Sequence, residues 1–125
     1  MSGMRSFRSK FRLPIDHSFD GSVEKKHHHV IEIAVEYHSN DAEEDFKIIN
    51  KAEQIIGDIL NGYRNVFLNE MPEFENNTTI ENVGEVLYKK IDPAFGEKDL
   101  KINRLEISEN PLRVYAIVKE WNSFR

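Results

Sequence analysis

Three histidines in succession, His27, His28 and His29, carry the clearest chemistry in this chain, and they open the run Val30-Ile31-Glu32-Ile33-Ala34-Val35-Glu36-Tyr37. The run alternates and is rich in β-branched residues, the pattern of a strand with one buried face. Strand side chains point to alternate faces, so His27 and His29 share a face with Ile31, Ile33, Val35 and Tyr37, while His28 points away. Two imidazoles on one face, roughly 6–7 Å apart at Cα, can converge on one metal ion. The segment before them offers a third. Residues 7–17 also alternate, with Phe7, Ser9, Phe11, Leu13, Ile15 and His17 on one face and Arg8, Lys10, Arg12, Pro14 and Asp16 on the other. If the two segments pair antiparallel across the loop containing Asp20-Gly21-Ser22, His17 comes to lie beside His27 and His29. Three neutral imidazoles leave one position of a tetrahedral metal open, as catalytic rather than structural centres do.

The elements that must position these residues follow from periodicity. After a turn-like break at His38-Ser39-Asn40-Asp41, apolar residues at Phe46, Ile48, Ile49, Ala52, Ile55, Ile56, Ile59 and Leu60 predict a helix, with Asp45 as its N-cap and Asn61-Gly62 as its stop. Thr78-Thr79-Ile80-Glu81 reads as a capping box that starts with Thr78, and Ile80, Val83, Val86, Leu87 and Ile91 predict a second helix ending at Asp92-Pro93. Strands are expected over Leu100–Ser108 and Leu112–Val118. Leu100 and Ile102 fall on the opposite parity from Leu105 and Ile107, which implies a bulge or two covered faces. The order β-β-α-α-β-β predicts an α+β domain in which a four-stranded antiparallel sheet carries two helices on one face. The open sheet edges favour self-association.

Composition narrows the field. With 125 residues the chain is the size of one domain, and 39% hydrophobic with 31% charged residues fits an ordinary soluble protein. A net charge of −5 argues against non-specific nucleic-acid binding. The absence of cysteine rules out disulfides, Cys-ligated zinc and a Cys nucleophile, and it accords with a cytoplasmic location. No apolar stretch approaches the roughly 18 residues of a membrane span.

Taken in order, these residues resemble the 6-pyruvoyl-tetrahydropterin synthase and 6-carboxytetrahydropterin synthase family. That family places a histidine at the end of its first strand and a His-Gly-His motif at the start of its second. His17 and His27-His28-His29 occupy those places, with His28 at the usual glycine. Asp45-Phe46, Leu68-Asn69 and Thr78-Thr79-Ile80-Glu81-Asn82 are similar to its Asp-Phe, Leu-Asn and Pro-Thr-x-Glu-Asn motifs, with Thr78 in place of the proline. The likeness extends from about Phe7 to Val118. It implies the tunnelling fold (T-fold), whose trimers close their sheets into a barrel and commonly stack as hexamers, with active sites between subunits. It also implies Zn2+ held by His17, His27 and His29, and a pterin substrate, 7,8-dihydroneopterin triphosphate, that loses its triphosphate, its side chain or both. The family's ring-anchoring glutamate on the third strand resembles Glu106, and Thr79 joins the substrate-binding residues by the same analogy. Helix capping is by itself a sufficient explanation of Thr79, and a solvated strand residue or a surface ion pair is the alternative for Glu106.

The resemblance fails at proton handling. The family's usual cysteine, four residues before the first motif histidine, is Val23 here, and its Asp-His dyad before Leu-Asn is replaced by Arg64 and Asn65. Neither of those side chains can serve as a general base near neutral pH. Glu24, three residues before His27, stands where a related side-chain-cleaving subgroup, the type III synthases, carries a glutamate. Glu24 is therefore the candidate catalytic residue, and a charged loop shared with Lys25 and Lys26 is its alternative. Two further readings stay open: a zinc- and pterin-binding relative without turnover, and a structural oligomeric domain without zinc.

Overall fold

The structure, a computed structural model, describes residues 5–119. Strands β1 (Phe7–His17) and β2 (His27–Ser39) form an antiparallel hairpin, followed by helix α1 (Asp45–Asn61), two short 3₁₀ turns (Leu68–Glu70 and Pro72–Phe74) and helix α2 (Ile80–Gly96). Strands β3 (Leu100–Asn110) and β4 (Arg113–Val118) complete one antiparallel sheet of order β1-β2-β3-β4. The fold class and element order match the expectation from periodicity.

The hairpin register is set by burial. Leu13 lies opposite Ile31, Ile15 opposite His29 and His17 opposite His27. A slip of one residue would turn Leu13, Ile15, Ile31 and Ile33, all essentially buried, out to solvent. Those side chains meet Ile48, Ala52, Ile56 and Leu60 of α1 and Val83, Leu87, Ile91 and Phe95 of α2 in one core. Gly84 lets α2 settle close onto the sheet, because a Cβ there would sit 3.0 Å from Ile107 Cγ2. The parity change along β3 is a bulge: Glu36 pairs with Arg104 but Tyr37 with Ile102, which leaves Asn103 unmatched.

Six boundaries differ from the sequence reading, two of them in the second hairpin, where β3 continues past Ser108 to Asn110 and β4 starts at Arg113 instead of Leu112. β2 continues to Ser39, beyond the Tyr37 limit. The residue before α1 is Glu44, not Asp45, and its carbonyl accepts from the amides of Lys47 and Ile48. α2 is capped by Thr79 rather than Thr78, because the Thr79 hydroxyl accepts from Asn82 N while Thr78 is buried. Finally, α2 runs through Pro93 to Gly96. A mid-helix proline costs about 3 kcal/mol, less where few bonds follow it, and full burial of an aromatic side chain contributes about 1.5–3 kcal/mol. Phe95 supplies that burial, fully enclosed with its ring centroid 5.7 Å from that of Tyr37. Among the described residues, no helix is long and apolar enough to cross a membrane.

Candidate metal centre

Pairing at the closed end of the hairpin brings three imidazoles together. Ring centroids lie 4.4 Å apart for His17 and His27, 5.1 Å for His17 and His29, and 4.7 Å for His27 and His29. Each ring offers one nitrogen, and these nitrogens all fall within 4.8 Å of one another. His28, on the other face, bonds through Nδ1 to Asp16 Oδ1 at 2.9 Å and takes no part.

The tautomers favour a cation. His17 is fully buried, and its Nδ1 lies 3.1 Å from the Thr78 carbonyl, which can only accept, so Nδ1 holds the proton. That leaves a lone pair on His17 Nε2, a buried atom with no hydrogen-bond partner among the described residues. An unsatisfied buried acceptor costs on the order of 1–3 kcal/mol. His27 repeats the arrangement, with Nδ1 3.3 Å from the carbonyl of Lys25. Histidine ligands held through their other nitrogen by a carbonyl are the usual outer shell of a metal site. Burial, together with the neighbouring His27 and His29, lowers the His17 pKa against the opposing pull of the Thr78 carbonyl and Glu109. The neutral, metal-ligating form is thereby favoured. Three imidazoles around an orphaned nitrogen suit zinc well.

The structure adds a carboxylate that the sequence reading passed over. Glu109 Oε2 lies 3.7 Å from His29 Nε2 and 4.0 Å from His17 Nε2. It lines a cavity with Phe19, Thr79, Leu112, Arg113 and Tyr115. Phe19 is 74% exposed, and its ring sits 5.5 Å from His17 and 5.6 Å from His27. The signal for Glu109 was present in the alternation, since the parity that buries Leu105 and Ile107 carries residue 109 to the histidine face. Reading Glu109-Asn110-Pro111 as a mere connection hid it.

Other candidates lie elsewhere. Glu106 pairs across the sheet with Ala34, on the face away from the helices. Its carboxylate is bound by Arg8 and by Arg104 Nε at 2.9 Å. Burial pushes its pKa up, but the two guanidiniums outweigh that and hold it below the ordinary carboxylate range. Glu24 is exposed in a turn closed by the bond from Lys26 N to Val23 O, and among the described residues its side chain has no ionic or hydrogen-bonded partner. Thr79 caps α2 at the rim of the Glu109 cavity, its hydroxyl donating to Asn77 Oδ1 at 2.9 Å. Arg64 is exposed after α1, and Asn65 adopts a left-handed φ of 59° with its amide bonded to the Pro14 carbonyl.

The sequence model of the family described as 6-pyruvoyl tetrahydropterin synthase matches residues 2–120. No curated protein sequence matches the chain. Among solved structures, 6-pyruvoyl tetrahydropterin synthase from Caenorhabditis elegans aligns with a TM-score of 0.72 at 14% identity, covering 94% of this chain and 97% of that one. An uncharacterized protein from Wolinella succinogenes aligns at 0.60 with 14% identity, covering 95% and 100%. A Plasmodium vivax 6-pyruvoyltetrahydropterin synthase, carrying a Cys in place of a catalytic glutamate, aligns at 0.58 with 13% identity, covering 96% and 100%. At such identities these structures speak to the fold.

Proposed function

The chain belongs to the 6-pyruvoyl tetrahydropterin synthase family, a lyase family, and on that premise we propose that it is a zinc-dependent pterin lyase acting on 7,8-dihydroneopterin triphosphate. The observation that carries this reading is the convergence of His17, His27 and His29 around a buried, partnerless Nε2. Zinc, when bound, acts as a Lewis acid that polarises the substrate's side-chain oxygens and acidifies the adjoining C–H and O–H groups. The chain's own residues then have separate tasks. His17, His27 and His29 present neutral nitrogens. Glu109, rather than Glu106, accepts two hydrogen bonds from the guanidine-like edge of the pterin, because its carboxylate faces the histidines while that of Glu106 is committed to two arginines on the other face. Thr79 borders the same cavity.

Glu24 is assigned the proton transfer. The Plasmodium vivax relative, solved with its catalytic glutamate changed to Cys or to Ala, supports a glutamate among the catalytic residues. Three residues before His27, Glu24 is near enough in sequence for movement of its exposed turn to bring it to the substrate. Self-association through the β1 and β4 edges as a trimer or hexamer, and a cytoplasmic location, belong to the same reading.

A second reading, a zinc- and pterin-binding relative without turnover, is favoured by one observation: among the described residues, the Glu24 carboxylate has no partner that would hold it toward the histidines. Incubating zinc-loaded protein with 7,8-dihydroneopterin triphosphate and identifying products by mass separates the two. A new dihydropterin lost in His27→Ala supports the lyase. Bound but unchanged substrate supports the second reading.

A further inference from the structure

We infer that Asn69 is the positioning residue of the metal centre, clamping the backbone behind His17 so that its Nε2 faces His27 and His29. This inference rests on the metal-site reading above. Asn69 Oδ1 accepts from Ser18 N at 2.9 Å, and Asn69 Nδ2 donates to Ser18 O at 2.8 Å. A side-chain amide thus pairs with both backbone groups of the residue that follows His17, as a neighbouring strand would. The second Nδ2 proton goes to Asn76 Oδ1 at 2.8 Å. Asn76, at a φ of 57°, belongs to the loop that delivers Thr78. Thr78 then closes the ring of contacts. Its hydroxyl donates to Ser18 O at 3.3 Å, and its carbonyl receives His17 Nδ1 at 3.1 Å.

One side chain therefore ties together the loop after β1, the 3₁₀ turn at Leu68–Glu70 and the approach to α2. Gly21 makes room for the Asn76 side chain that Asn69 binds: at a φ of 82°, a Cβ there would fall 2.7 Å from Asn76 Nδ2. The clamp acts on His17 at two points, through its backbone by way of Ser18 and through its ring by way of Thr78. Both contribute, because an acceptor at Nδ1 fixes the tautomer and ring orientation that present Nε2 to a metal.

The test compares wild type, Asn69→Asp and Asn69→Ala, with Tyr63→Phe as a control that loses a hydrogen bond away from the histidines. Asn69→Asp keeps the acceptor for Ser18 N but sets oxygen against Ser18 O and Asn76 Oδ1. Zinc affinity is measured by chelator competition, and the His17 ring tautomer by long-range proton–nitrogen NMR on metal-free protein. The expected result is a zinc affinity about 10- to 100-fold weaker in both Asn69 variants, with His17 losing its single Nδ1-protonated form, and neither change in Tyr63→Phe. Wild-type affinity with an unchanged tautomer in Asn69→Ala overturns the inference. If wild type binds no zinc, the metal reading fails by itself, and the tautomer comparison still decides the clamp: a change upholds it and no change ends it.

Discussion

His29 Nε2 and Glu109 Oε2 lie 3.7 Å apart, although one residue is near the start of β2 and the other near the end of β3. The sheet register produces this proximity, with Ile33 opposite Ile107 and both rows of side chains continuing toward the same end. A carboxylate there faces the three clustered histidines and the cavity at once. Glu109→Gln should retain zinc within about threefold but bind a dihydropterin about 100-fold more weakly, as expected for loss of a charge-assisted pair worth about 1.5–3 kcal/mol per bond. Glu106→Gln should leave pterin affinity unchanged and alter stability by less than about 1 kcal/mol. Calorimetric titration of both variants checks this, and equal losses would remove Glu109 from its proposed role.

The three-histidine centre predicts an asymmetry within the triplet. His27→Ala and His29→Ala should abolish stoichiometric zinc, whereas His28→Ala, which breaks only the bond to Asp16, should retain it. Zinc should also stabilise wild type by RT ln(1 + [Zn]/Kd), about 2.7 kcal/mol at a hundredfold excess over Kd. Metal analysis after dialysis, paired with melting curves before and after chelation, reads both effects.

How much of this was legible without coordinates depended on local patterning. Strict alternation in β1 and β2 placed His17, His27 and His29 on one face, because a period of two leaves no other choice once Leu13, Ile15, Ile31 and Ile33 are buried. The end of α2 was not legible, because Pro93 is a local stop signal and the burial of Phe95 against Tyr37 is a tertiary fact. Thr78 and Thr79 are chemically alike, and it is contacts with His17 and Ser18, distant in sequence, that accompany the burial of Thr78 while Thr79 caps the helix. Glu109, the proposed ring anchor, shares the parity of Leu105 and Ile107, but a strand boundary set at Ser108 left it outside the element.

Glu24 offers a sharper test of catalysis than any histidine, since its substitution should leave the fold intact. It is exposed, and its removal breaks no side-chain hydrogen bond or ion pair among the described residues. Glu24→Ala and Glu24→Gln should both melt within about 0.5 kcal/mol of wild type and bind zinc normally. Turnover should fall by about 100-fold or more in each, the usual contribution of a general acid–base group. Rapid-quench product analysis would show this, and unaltered turnover would exclude Glu24 from proton transfer.

Away from the site, Tyr63 and Glu73 predict a pH dependence with a definite sign. The Tyr63 hydroxyl donates to Glu73 Oε2 at 2.6 Å, and Lys90 Nζ lies 3.6 Å from the same carboxylate. The hydrogen bond from Tyr63, with help from Lys90, holds the Glu73 pKa below its ordinary value. A carboxyl depressed in the folded state contributes stability above its unfolded pKa of about 4.3 and loses it as pH falls through the folded value. Burial first, and then the Glu73 carboxylate, push the Tyr63 pKa far above its ordinary value, so its contribution is present below about pH 10 and lost above. Tyr63→Phe should therefore cost about 1 kcal/mol at neutral pH, after allowing for solvent screening, or about 4 °C in Tm. The gap between the two proteins should narrow below about pH 4 and again above about pH 10. Melting curves across that range test the pair, and a gap that stays constant with pH would mean that the Tyr63 bond is not coupled to the charge on Glu73.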